Sequence, residues 1–195
     1  GKSIESVKKQ YKLDQIVKLA SNENPFGCSK KVLTALQNSQ PGFAIYPDGY
    51  MTTLRESVAS FLNVSQDELI FGNGSDNIIQ IISRSLLHPG ANTVMATPSF
   101  SQYKHNAVIE GAEIREIPLL NDEHDLEEMY AAIDENTNVV WVCSPNNPTG
   151  TYVSKNKLIR CIASLIKPSD RSISISSCLP GTTAFEVIAD DACCH

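Results

Sequence analysis

The sequence lacks a long apolar run and an excess of positive charge. No stretch approaches the roughly 20 apolar residues that a membrane-spanning helix needs, and no basic segment followed by an apolar one opens the chain. The 16 Lys and Arg residues are outnumbered by 22 Asp and Glu, and the net charge of −6 disfavours unaided binding to nucleic acid or anionic membranes. We therefore expect a cytoplasmic protein whose partners include neither nucleic acid nor membrane.

Cysteine pairs of the kind that bind metal are also missing. The six cysteines show no C-x-x-C spacing and no even disulfide pattern, so free thiols are expected. Cys193, Cys194 and His195 form a terminal cluster, but no second pair of ligands accompanies it. We interpret this cluster as chance and predict no metal site.

Apolar periodicity alternates between helix and strand along the chain. Helices are predicted over 3–11, 30–38, 78–86, from Ser99 or Ser101 towards 110, over 126–133, and after a cap at Thr52 or Thr53. Strands are predicted over 69–71, 93–96, 113–118 and 138–143. Strands separated by helices are typical of crossover units. The pattern predicts an α/β fold with three layers, α-β-α, and a mainly parallel sheet.

An apolar run from Val139 to Cys143 ends abruptly in a turn rich in proline and asparagine, residues 144–150. In open α/β sheets, ligands bind at the carboxyl ends of strands. Asn146 and Asn147 lie between two prolines, which stiffen the turn, so an amide there can bind a ligand at small entropic cost. An ordinary loop of turn formers is the alternative interpretation.

A second motif, Gly72-Asn73-Gly74-Ser75-Asp76, follows a predicted strand and precedes a predicted helix. This arrangement directs free backbone N–H groups at a positive helix terminus, where phosphate binds readily. The alternative is that Ser75 or Asp76 only caps the helix. Neither a Walker loop nor the full dinucleotide pattern is present, so a phosphorylated cofactor other than a nucleotide fits best.

Five motifs carry a resemblance to a known family. They are Ser21-Asn22-Glu23-Asn24-Pro25, Tyr46-Pro47-Asp48, Gly72 to Asp76, Pro98-Ser99-Phe100 and Ser144 to Gly150. In order and approximate spacing they resemble the amino-terminal half of histidinol-phosphate aminotransferases, over about 1–157, closest to enzymes of Bacillus-like bacteria. These belong to the fold-type I aminotransferases, which depend on pyridoxal 5'-phosphate, and the resemblance implies an incomplete large domain of that fold.

The resemblance implies a role for each of three cofactor-binding groups. Asn147 matches the asparagine that hydrogen-bonds the phenolic oxygen of the cofactor ring. Ser75 and Asp76 match the residues that hold the phosphate, mainly through backbone amides. Phe100 matches the aromatic residue that stacks on the ring, although a core aromatic at a helix start would look the same.

Two further residues are implied to act near the substrate and the dimer interface. Tyr46 matches a tyrosine that reaches the cofactor phosphate of the partner subunit, so a homodimer is expected. Asn24 matches a residue of the mobile loop that closes near the substrate, although an asparagine before a proline could simply form a turn.

The implied reaction is transfer of an amino group between histidinol phosphate and 2-oxoglutarate, through pyridoxal phosphate, in histidine biosynthesis. The family's Schiff-base lysine, its pyridinium-binding aspartate and its carboxylate-binding arginine follow the asparagine turn, and none of those patterns occurs here. Lys155, Lys157 and Lys167 lie in the wrong context for the lysine. We assign no catalytic residue and expect this chain to be catalytically incomplete.

The predicted organisation is an arm and substrate loop at 1–28, a partial cofactor-binding large domain at 29–160, and a tail at 161–195 that does not match the family. The chain begins with Gly1, and a fragment is expected. A shifted reading frame or a truncated gene would explain the tail better than a new domain, because some 35 residues bury little core. Two other functions stay open: an aromatic or broad-specificity aminotransferase, and a non-catalytic remnant.

Overall fold

The computed structural model describes residues 2–19 and 21–159, together with the backbone of two strands at 174–178 and 185–188. The chain divides into two compact units, Gly1–Asp67 and Glu68–His195. The predicted boundaries at 28/29 and 160/161 stay predictions. The cluster Cys193, Cys194 and His195 lies outside the described residues.

The first unit holds three α-helices: α1 (Ile4–Tyr11), α2 (Lys30–Ser39) and α3 (Thr52–Leu62), with 3-10 turns at Gln40–Gly42 and Gln66–Glu68. The side chains of Ser3 and Ser29 cap α1 and α2 by accepting the backbone N–H groups of Ser6 and Lys31. The predicted cap of α3 at Thr52 or Thr53 is wrong, because Met51 occupies the cap position without a side-chain bond.

Asp48 supplies the acceptors that α3 lacks at its start. Its carboxylate accepts the backbone N–H of Tyr50 at 2.9 Å and of Thr52 at 2.8 Å. The bond from Thr52, followed by that from Tyr50, lowers the pKa of Asp48 below its usual value. A carboxylate four residues before the start of the helix thus does what a threonine cap was predicted to do.

The second unit holds α4 (Gly74–Leu86), β1 (Asn92–Thr97), α5 (Ser101–Ile109), β2 (Glu113–Pro118), α6 (Leu126–Ala131), β3 (Thr137–Trp141), β4 (Ser174–Cys178) and β5 (Phe185–Ile188). The strand order is β2-β1-β3-β4-β5. The first three pairings in that order are parallel and only β4 with β5 is antiparallel. The predicted mainly parallel sheet is confirmed.

Side chains of β1 and β3 pack against helices on both faces of the sheet, which confirms the three layers. On one face, Met95 and Trp141 pack with α4 and α5 in a cluster that includes Ile79 and Tyr103. On the other face, alternate residues of the same strands pack with α6 and its Met129. Burial of β1 and β3 on both faces explains why each contains a continuous apolar run rather than an alternating pattern.

The predicted strand at 69–71 is wrong, because these residues are irregular and α4 begins soon after them. Three apolar residues are too few for periodicity to distinguish a strand from an extended loop, and sheet pairing decides the outcome. The longest helix of the described residues, α4, has 13 residues, and none in that part of the chain could cross a bilayer.

Candidate functional site

The chain topology brings three predicted site segments to one edge of the sheet. Because β1 and β3 are parallel neighbours, the turns that follow them leave from the same edge. Helix α4 runs back towards the start of β1, so its own amino terminus lies at that edge as well. Ile78 near the start of α4, Phe100 at the start of α5 and Cys143 just beyond β3 all belong to one packed cluster.

Asn146 is the structural centre of the turn after β3. Its side chain is 2% exposed, accepts the Ser99 hydroxyl at 2.8 Å, and donates to the Pro98 carbonyl at 3.1 Å and the Thr149 hydroxyl at 2.9 Å. Its backbone N–H donates to the Thr151 carbonyl at 2.8 Å. One buried amide therefore joins the turn after β3 to the turn after β1.

Asn147, the next residue, has the opposite environment. It is exposed, and its side chain has no hydrogen-bond partner within the part of the chain that the structure describes. Its neighbours on both sides are fixed, by the network of Asn146 and by the ring of Pro148. A rigid backbone thus presents a free amide, which can donate to or accept from a ligand.

The start of α4 is open to an anion. No side chain caps this helix, so Ser75 and Asp76 do not act as the caps that the alternative interpretation required. Their backbone N–H groups lie in the first helical turn, where no intrahelical acceptor exists. Gly74 has a φ of +73°, and a Cβ at Gly72 would lie 2.9 Å from both Asn77 and Ile78, so the glycines suit this tight turn.

Phe100 occupies the residue before α5 and is half-buried. Its ring meets Tyr103 edge-on, with centroids 5.8 Å apart, and Tyr103 in turn stacks on Trp141 at 4.6 Å. A pocket of about 470 Å³ adjoins Phe100, and its polar lining includes Thr97, Ser99, Ser101, Lys104 and Glu116. The contacts with Tyr103 and, through it, Trp141 hold Phe100 in the core, while part of the Phe100 surface stays accessible.

Asn24 and Tyr46 lie in the first unit. Asn24 closes its own loop, since its amide donates to the Gly27 carbonyl at 2.9 Å and accepts the Phe26 N–H at 3.0 Å. This is the turn-forming geometry that the sequence left as an alternative. Tyr46 is 94% exposed.

Sequence reasoning missed the part played by His124, which precedes α6. Its ring is buried, and Nε2 accepts the backbone N–H of Cys143 at 3.3 Å, at the point where the asparagine turn begins. Burial lowers the pKa of His124 below its ordinary value, so the neutral ring is favoured. Nothing in the local sequence distinguishes this histidine from an exposed one.

A separate polar network holds the opposite edge of the sheet. Asp134 accepts the Asn92 side-chain amide at 2.8 Å and pairs with Arg115 at 2.7 Å. The hydrogen bonds from Asn92, Arg115 and Asn136 lower the pKa of Asp134 to about 2. This network ties the starts of β1 and β3 together and lies away from the candidate site.

The sequence and the fold of the chain are similar to those of known proteins. Residues 14–167 match the family described as aminotransferase class I and II. The chain is 63% identical over 158 residues to a histidinol-phosphate aminotransferase of Geobacillus sp. (strain WCH70), covering 81% of this chain and 43% of that protein. It is 64% identical over 161 residues to the Bacillus licheniformis histidinol-phosphate aminotransferase, covering 82% and 45%.

Among solved structures, the chain resembles histidinol-phosphate aminotransferase from Sinorhizobium meliloti in complex with pyridoxal-5'-phosphate. The TM-score is 0.80 at 22% identity, over 90% of this chain and 47% of that one. The chain thus spans less than half the length of these three relatives. The predicted resemblance and fold are confirmed, and enzymes of this family use pyridoxal phosphate. The chain belongs to the class I and II aminotransferases.

Proposed function

We propose that this chain forms the cofactor-binding part of a histidinol-phosphate aminotransferase. The observation that carries the proposal is the pairing of a free, rigidly held amide at Asn147 with an uncapped helix start at Ser75 and Asp76. The two groups suit the two polar ends of pyridoxal phosphate, its phenolic oxygen and its phosphate. The names of the relatives support the choice of substrate.

Each residue of the site has a distinct task in this proposal. The backbone N–H groups of Ser75 and Asp76 and the Ser75 hydroxyl hold the phosphate without a lysine. Asn147 donates to the phenolic oxygen, which stabilises its anionic form. The accessible surface of Phe100 packs on the ring and excludes water from it. When bound, the cofactor supplies an electron-withdrawing ring that stabilises negative charge on the substrate.

The substrates in this proposal are histidinol phosphate as amino donor and 2-oxoglutarate as acceptor, in a cytoplasmic homodimer. The exposed Tyr46 is free to reach the cofactor phosphate of a partner subunit. Asn24 contributes by shaping its loop, because both polar ends of its side chain are already bonded there. No residue of this chain is assigned the role of the catalytic lysine.

Calorimetric titration with pyridoxamine 5'-phosphate tests the cofactor site. This ligand keeps the ring, the phenolic oxygen and the phosphate, but it has no aldehyde that could react with surface lysines. We expect one site per chain, weakened about tenfold by Asn147→Ala, which is the loss of one strong hydrogen bond. The matched control Asn156→Ala changes another exposed asparagine and should bind like the unmodified chain. Equal affinities for all three proteins would contradict the proposal.

Substrate choice is tested in the protein that contains this sequence, by amino transfer to 2-oxoglutarate from histidinol phosphate, tyrosine and phenylalanine in parallel. Histidinol phosphate should be preferred by at least about tenfold. The polar groups that bind its phosphate would be left without a hydrogen-bond partner by the aromatic ring of tyrosine or phenylalanine. Comparable rates with tyrosine would favour an aromatic aminotransferase. Cofactor binding without transfer from any donor would favour the non-catalytic remnant.

A further inference from the structure

The loop between β2 and α6, residues 119–125, touches the asparagine turn at several points although it carries no predicted site residue. Its tip is a tight turn in which Leu120 and Glu123 exchange backbone hydrogen bonds at 2.9 and 3.0 Å. The two residues at the tip, Asn121 and Asp122, have φ of 53° and 62°, which Asn and Asp tolerate better than most residues. This conformation fixes the direction of the Asp122 carbonyl.

The Asp122 carbonyl lies beside the hydroxyls of the two threonines that flank the glycine in the asparagine turn. Thr151 donates to it directly, and Thr149 lies within 3.4 Å of it. The two threonine hydroxyls are 2.8 Å apart, and Thr149 also accepts the Asn146 amide. A continuous chain of hydrogen bonds therefore leads from the loop to Asn146, the centre of the turn.

His124 forms the second connection, at the other end of the turn. Because Nε2 accepts the Cys143 N–H, the ring proton resides on Nδ1. Nδ1 is buried and has no partner among the described residues. A buried N–H without a partner costs stability, so packing alone would be better served by an apolar ring. An apolar ring would lack the acceptor at Nε2, so the hydrogen bond from Cys143 is the contact that favours a histidine here.

We propose that the 119–125 loop is a positioning element for the cofactor site, with His124 and the Asp122 carbonyl as its two attachment points. The loop holds the turn at Cys143 and at Thr151, and between these points the backbone presents Asn147 outward. His124 is a positioning residue that acts through the Cys143 backbone. The relevance of the positioning to cofactor binding rests on the function proposed above.

Hydrogen exchange in the full chain tests the positioning without any ligand. The amides of Cys143, Asn146 and Gly150 donate to His124, Thr151 and Asn146 respectively, so they report the closed turn. His124→Phe keeps a ring of similar size but removes the acceptor, and should speed exchange of residues 143–150 about fivefold to tenfold.

Rescue by a conservative variant separates positioning from packing. His124→Gln restores an acceptor near the position of Nε2, and its exchange in the turn should stay within about twofold of the unmodified chain. His88→Phe is the matched control, because His88 is an exposed histidine. A His124→Gln variant that exchanges as fast as His124→Phe would overturn the role of His124.

Thr151→Val tests the other attachment point and decides the case if His124→Phe unfolds the chain. It removes the hydroxyl with almost no change in shape, and exchange of Asn146 and Gly150 should rise about fivefold. Thr53→Val, at an exposed position of helix α3, is its control. Exchange within twofold of the unmodified chain in Thr151→Val would overturn the proposal.

The affinity for pyridoxamine 5'-phosphate forms a separate arm of the test. Variants with faster exchange should also bind it about fivefold to tenfold more weakly. If the unmodified chain shows a protected turn that the variants loosen, yet binds none of this ligand, the cofactor proposal fails while the structural coupling holds. If it binds the ligand and the loosened variants bind equally well, the loop does not position the site.

Discussion

Two adjacent asparagines should give opposite results when each is changed to alanine. Asn146→Ala removes three side-chain hydrogen bonds from a residue that is 2% exposed. At a net 0.5–1.5 kcal/mol each, their loss lowers the free energy of unfolding by about 3 kcal/mol. For a chain of this size that corresponds to a melting temperature lower by roughly 6–12 °C.

Asn147→Ala should change the free energy of unfolding by less than about 0.5 kcal/mol, because the side chain is exposed and makes no bond within the described residues. Urea unfolding measures both variants. The chain's one tryptophan, Trp141, is buried and stacked on Tyr103, so its fluorescence reports the loss of the core next to the turn.

Ligand binding should show the reverse order once stability is accounted for. In conditions where both variants are folded, Asn147→Ala should bind pyridoxamine 5'-phosphate more weakly although its stability is nearly unchanged. In Asn146→Ala, any loss of affinity should accompany a loss of stability. The reasoning is refuted if Asn147→Ala destabilises the chain as much as Asn146→Ala, since a structural Asn147 could not be held free for a ligand.

Three further predictions concern the pH dependence of stability and the conformation of Gly74. Burial lowers the pKa of His124, so near pH 6.5 the unfolded chain binds a proton more readily than the folded chain does. The free energy of unfolding should therefore fall as the pH drops below 6.5. In urea titrations, His124→Gln should remove this pH-dependent component. Hydrogen bonds lower the pKa of Asp134 from 3.8 to about 2, so a second loss should appear between about pH 4 and 2 and be absent in Asp134→Asn, itself less stable at pH 7. Gly74→Ala places a side chain at φ +73° and should cost about 1 kcal/mol or more, whereas Gly42→Ala, outside that region and with open space around it, should cost little; equal melting temperatures would contradict this.

The two central strands β1 and β3 could be predicted from the sequence because they are largely buried and helices separate them along the chain. Long apolar periods gave the positions of α4, β1 and β3 within a few residues. The short run at 69–71 had no such period, and the carboxylate of Asp48 replaced the expected threonine cap. Both errors arise because the outcome depends on contacts between residues several positions apart, and the propensities of individual residues do not predict such contacts.

The candidate site was predictable in part for the same reason. Turn chemistry at strand ends pointed to 72–76 and 144–150, but it treated Asn146 and Asn147 alike. Only the fold shows that Asn146 meets Ser99 across 47 residues of sequence, and that His124 reaches the Cys143 backbone. A polar residue that acts through long-range contact leaves no periodic signal in the sequence.

The central claim is that the uncapped start of α4 holds the phosphate of the cofactor. The most direct test compares pyridoxamine 5'-phosphate with pyridoxamine, which lacks the phosphate, in calorimetric titrations of the same chain. Hydrogen bonds to a charged group contribute about 1.5–3 kcal/mol each, so the phosphorylated ligand should bind at least about tenfold more tightly. Equal affinity for the two ligands, or no saturable binding of either, would contradict the account.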